Sequence, residues 1–141
     1  MKAKDKFQRI DDKYANGTSW LMQREYDSSK YMNTFIGDFL SRIWYLYGAP
    51  EGEMYEGFQY TFKHVETGLL FTAYSAGSGP AYGGNDKKKK KLLPVITEFD
   101  EMLNKSKNAD CEISIETDFG TYKVGAKNGK PFQRAKRSKT E

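Results

Sequence analysis

With 141 residues, one cysteine and one histidine, the chain has room for a single hydrophobic core and no internal disulfide to staple it, which excludes cross-linked secreted scaffolds and Cys/His zinc domains. Its net charge of +4 comes from two places, the run Lys87 to Lys91 and the tail from Arg134 to Glu141. Without them the body is mildly acidic, a weaker footprint for a polyanion than a basic face would be.

The N-terminal charges in MKAKDKFQRIDDKYANG recur too closely for the apolar core of a signal peptide, and no run approaches the roughly 18 apolar residues of a membrane span. A cytoplasmic protein without membrane contact is expected. The first segment, with Phe7, Ile10, Tyr14, Trp20, Leu21 and Met22, declares neither a helical nor a strand period. From Tyr31 to Tyr47 the apolar residues Tyr31, Phe35, Ile36, Phe39, Leu40, Ile43, Trp44 and Tyr47 recur at steps of three and four, the stripe of an amphipathic helix. Ser28 or Ser29 supplies its cap, and Gly48-Ala49-Pro50 its stop. After an acidic link, Phe58, Tyr60, Phe62 and His64 alternate with polar residues, a half-buried strand. The turn Glu66-Thr67-Gly68 and the run Leu69 to Ser75 complete an antiparallel hairpin.

The stretch from Ala76 to Asp86 reads as a loop too rich in glycine for regular structure. A second helix follows the lysines, with Pro94 in its first turn, Val95, Ile96, Phe99, Met102 and Leu103 inward, and Glu98, Asp100 and Glu101 outward. Next comes a strand from Asp110 to Asp118 with Cys111, Ile113 and Ile115 inward, a turn near Phe119-Gly120, and a return through Tyr122 and Val124. Asn128-Gly129 closes the ordered body. The expected architecture is one α+β domain over residues 1–130, a largely antiparallel sheet of four or more strands with two main helices on one face, followed by a basic tail over 131–141.

Few residues offer chemistry. His64 shares a face with three aromatics and reads as a packed structural histidine, and Cys111 as a small core residue. Neither supports a nucleophilic or zinc site, and no cofactor is expected. Glu51, Glu53 and Glu56 around Tyr55 form a solvated acidic patch. The glycine-rich loop lacks the third glycine of a dinucleotide fingerprint, which would fall at Tyr82, and the Gly-Lys-Ser/Thr of a P-loop, leaving only non-specific anion binding. The strand Gly57 to Phe62 approaches an RNA-stacking strand, but Glu56 and Thr61 stand where that motif wants a base and an aliphatic residue.

What remains suits a protein that occludes another protein. Tyr55, Tyr74 and Tyr82, at or near loops, offer rigid contact area, and Glu53, Glu56, Glu116 and Asp118 would match a basic partner. The stretch Thr67 to Gly84, with Cys111-Glu112-Ile113 and Asp118 to Gly125, resembles the small immunity proteins that accompany bacterial polymorphic or contact-dependent toxins. That resemblance implies binding to a cognate toxin domain in the cytoplasm and blockade of its active site, without catalysis. The alternative is an RNA or single-stranded nucleic-acid-binding module that uses Lys87 to Lys91, the basic tail and the Phe58, Tyr60, Phe62 face.

Overall fold

A computed structural model describes residues 2–15, 17–51, 57–76, 79–117 and 120–135. The strands are β1 (Phe7–Ile10), β2 (Ser19–Gln23), β3 (Gln59–His64), β4 (Leu70–Ala76), β5 (Gly79–Gly84), β6 (Cys111–Thr117), β7 (Gly120–Lys127) and β8 (Lys130–Ala135). The α-helices are α1 (Ser28–Tyr31), α2 (Phe35–Tyr47) and α3 (Lys89–Asn104). The expected α+β class holds. The strands divide into two antiparallel sheets, one of five strands in the order β1-β3-β4-β5-β2 and one of three in the order β6-β7-β8.

The alternation read in β3 is realised: Phe58, Tyr60 and Phe62 have no exposed surface, and His64 lies with them. Cross-strand pairing puts Tyr60 opposite Ala73 and Phe62 opposite Phe71, and α3 packs Phe99 onto this face. Its ring lies 4.8 Å from Phe62, 5.1 Å from Phe7 and 5.2 Å from Phe71. The contacts are tilted or edge-on, the arrangements that aromatic quadrupoles favour.

Two hairpins in one sheet were expected, yet the second pairs with β8 in a separate layer. Helix α2 supplies the reason. Gly37 through Ser41 are all buried, five consecutive positions that cover more than one face of a helix, so α2 needs cover on two sides. Phe39 meets Phe58 and Tyr82 of the larger sheet. On the other side Gly37 sits so close to the smaller sheet that a Cβ there would fall 2.4 Å from the Phe132 carbonyl oxygen and 2.5 Å from that of Gly125. Only glycine permits this approach. Of the tail expected over 131–141, the residues up to Ala135 belong to β8 instead, and residues 136–141 lie outside the described ones.

Other boundaries move for local reasons. The helix expected from Tyr31 is broken: Asp27, not a serine, caps α1 by accepting from the Ser29 amide, and Met32 and Asn33 take positive φ before α2 begins. The stop at Gly48, with φ of 87°, is as read. The unassigned N-terminal segment provides β1 and β2, the two edges of the larger sheet. Helix α3 starts five residues before Pro94, so the lysines form a 3-10 turn (Asp86–Lys88) and the first helical turn, not a loop. Pro94 then leaves the Lys90 carbonyl without its intrahelical donor, at an exposed end where water can replace it.

The glycine-rich loop is the largest departure. From Gly79 to Gly84 it forms β5, paired to β4 on one side and to β2 on the other. A Cβ at Gly84 would stand 2.7 Å from Leu92 Cδ1 and 2.9 Å from Leu21 Cδ1, and one at Gly83 would stand 2.7 Å from Thr72 Oγ1 and 3.3 Å from Tyr74 Cε1. Glycine serves here to admit neighbouring side chains to the strand, not to loosen the chain.

Candidate binding surface

Tyr82, expected at the surface, has no exposed area. Strand β5 turns it toward the helices, where its hydroxyl donates to Asp100 Oδ1 at 2.5 Å. Burial pushes its phenol pKa well up, and the Asp100 charge adds to the shift. Tyr74 lies on the opposite face of the sheet, half-buried beside Gly83, and burial raises its phenol pKa also. Glu116 is exposed on β6, in the other sheet. Glu53, Tyr55, Glu56 and Asp118 lie outside the described residues. Of the proposed contact set, the described members are thus one buried residue and two residues on different sheets, and they build no common site.

His64 is 5% exposed, its Nδ1 is 2.7 Å from Thr67 Oγ1 and its ring centroid 5.5 Å from that of Phe7, as a structural histidine should be. Cys111 is half-buried, and burial pushes its thiol up to about 11, far from the thiolate that reactivity requires. Among the described residues no group of three or more His, Cys, Asp and Glu is placed to hold a metal ion. The amides of Gly79 to Gly84 belong to a strand, so the anion cradle considered for that loop does not form there. Phe58, Tyr60 and Phe62, fully buried, offer no face to a base.

The surface that does stand out is the outer edge of β2, on which no described strand pairs. Four strands lie at sheet edges: β1, β2, β6 and β8. Exposed edges invite pairing with another chain, and proteins blunt them with shortness, charge or proline. Strand β1 has four residues, one of them Arg9. Strand β6 exposes Glu112 and Glu116, and β8 carries Lys130, Pro131 and Arg134. Strand β2, with the sequence SWLMQ, has no charge and no proline.

Its pairing with β5 slips between Trp20 and Met22. This bulge lets Leu21 enter the core, at 3% exposure, while Trp20 stays 57% exposed. Alongside runs a groove of about 670 Å³ lined by Trp20 to Tyr26, Phe35, Gly79 and Pro80, within the size range of small-molecule sites but open along the strand. Exposed Met32 and Glu25 lie on the chain segments around it.

The floor of this groove is fixed by charge. Arg24, whose side chain is 3% exposed, pairs with Asp100 and donates from Nε to Tyr26 Oη at 2.8 Å and from Nη2 to Asn104 Oδ1 at 2.5 Å. Burial holds the Tyr26 phenol far above its ordinary pKa, so it stays neutral. A second ion pair lies behind it: Arg42 Nε donates to the fully buried Asp38 at 2.9 Å, and Asn108 donates to the same carboxylate at 2.9 Å. Arg42 also spans to the carbonyls of Leu103 and Ser106, tying α2 to the end of α3. The Arg24 guanidinium is thus neutralised and held by protein groups, which rigidifies the groove and leaves its recognition to Trp20, Met22, Tyr26, Phe35 and the backbone of β2.

A signal for this surface was present in the sequence, in the run from Tyr14 to Gln23 that bears neither charge nor proline before Arg24 and Glu25, but without the pairing of β2 nothing marked it as an edge. No family model, curated protein or solved structure matches the chain. No helix among the described residues is long and apolar enough to cross a membrane.

Proposed function

We propose that the protein is a binding protein that captures a second polypeptide along β2, and that it serves as an immunity protein, occluding the active site of a cognate bacterial toxin domain. The observation that carries the binding mode is the uncharged, proline-free edge of β2 with exposed Trp20 beside a preformed groove. An extended segment of the partner adds to the edge through main-chain hydrogen bonds, while Trp20, Met22, Tyr26 and Phe35 receive its side chains. Tryptophan and tyrosine are the residues that most often dominate interface energy. The assignment of the partner as a toxin rests on the sequence resemblance, and the contact surface proposed for it is β2.

The test is co-purification with the product of the gene immediately upstream, followed by titration with Trp20→Ala and Trp20→Lys. A stoichiometric complex that either substitution weakens by tenfold or more supports the proposal. A complex indifferent to both relocates the interface, and the absence of any complex removes the immunity role.

A further inference from the structure

Lys87, Lys88, Lys89, Lys90 and Lys91 are all exposed, and none forms an ion pair among the described residues. They occupy the 3-10 turn and first turn of α3, the end of the helix where cations are disfavoured by its dipole. Five like charges placed together with no internal partner favour an external polyanion. Beside them lies a second groove, of about 260 Å³, lined by Tyr14, Gly17, Thr18, Gly68, Leu70, Asn85 and Lys88. Tyr14 is 52% exposed, and Lys13 Nζ stands 5.1 Å from its ring centroid. An exposed aromatic ring with Lys13 near it, in a groove that Lys88 also lines, is the pairing that single-stranded nucleic acids use: phosphates meet the ammonium groups and a base stacks on the ring. The groove is just below the range of about 300–1,000 Å³ typical of drug-sized ligands, a size for one base and not for a whole dinucleotide. Exposed Asp11 and Asp86 lie close in sequence to these residues, and the six lysines outnumber them.

We propose that the Tyr14 groove and the Lys87 to Lys91 ramp form a binding site for single-stranded nucleic acid, in which one base stacks on Tyr14 and the following phosphates run along the lysines. This site is separate from the β2 groove, so it stands or falls independently of the protein partner.

The experiment is fluorescence anisotropy of the full chain with labelled oligouridylate over a series of salt concentrations, with polyglutamate as competitor. Neutralising up to five phosphates of a single strand gives a slope of log K against log salt of up to about −3.5. Converting all five lysines to glutamine, each as in Lys88→Gln, is expected to remove most of the affinity and flatten the slope. Tyr14→Ala is expected to weaken binding about tenfold or more, and Tyr14→Trp to retain it. Circular dichroism confirms that each variant is folded. Absence of binding at low salt overturns the proposal, as does binding indifferent to Tyr14→Ala, which reduces the site to bulk charge attraction. Polyglutamate competing as well as oligouridylate also overturns it and assigns the ramp to an acidic protein chain.

Discussion

Tyr82 on β5 and Arg24, just beyond β2, converge on one carboxylate oxygen of Asp100 on α3, the tyrosine at 2.5 Å and the arginine as an ion pair. Three elements thereby share a single charge, and Arg24 is the member that compensates it. Replacing Arg24 with methionine keeps most of the apolar stem but strands the carboxylate. Asp100 is 24% exposed, so water relieves part of the loss. The expected cost is about 3 kcal/mol, at the low end for a broken buried pair, read as a lowered midpoint in urea unfolding.

The buried phenols make the fold sensitive to alkali. Burial raises the pKa of Tyr26, Tyr47, Tyr60 and Tyr82 in the folded state, whereas in the unfolded chain tyrosine ionises near pH ~10. A raised folded pKa means that stability is fully present below the unfolded value and is lost as pH climbs toward the folded one. Each such phenol contributes a slope of about 1.4 kcal/mol per pH unit across that window. Denaturation midpoints measured from pH 9 to 12 are expected to fall steeply above ~10, and Tyr82→Phe is expected to flatten the decline.

Gly37 has no room for a single methyl. Its contacts are backbone carbonyls of β7 and β8, which yield only if the small sheet lifts from α2. Gly37→Ala is expected to destabilise by about 1–3 kcal/mol, the range for overpacking. Phe99→Ala, which empties the space between five aromatic rings, is expected to cost about 3–5 kcal/mol. Thermal unfolding of the two variants tests both figures.

Trp20 has the opposite profile. More than half exposed on an edge strand, it contributes little to the folded state, and Trp20→Ala is expected to shift stability by no more than about 0.5 kcal/mol. A measured loss well beyond that would mark Trp20 as a structural residue and take it out of the proposed interface.

Where a residue's role depends on its own periodicity, the sequence is a good guide. The faces of β3 and β6, the stripe and stop of α2, and the apolar side of α3 with Phe99 are all legible from spacing. Where the role depends on a neighbour, it is not. Glycines 79, 83 and 84 read as a loop because the side chains they admit, Tyr74, Leu21 and Leu92, come from other elements. Tyr82 went to the wrong side of the molecule for the same reason, since a residue in a loop has no face and a residue in β5 has one. The edge of β2 is defined by its place at the end of the strand order among the described residues, a property of the assembled sheet and not of SWLMQ.

The position of α2 between the two sheets sets the order in which the molecule can be made. Its second cover is β7 and β8, with the Phe132 carbonyl lying over Gly37, so a nascent chain that stops short of these strands would hold a helix with one apolar side still bare. Helix α2 cannot finish burying its surface until the strand ending at Ala135 has been synthesised. Native closure therefore waits for β8, and a truncation that removes β8 leaves a protein that exposes the middle of its own interior.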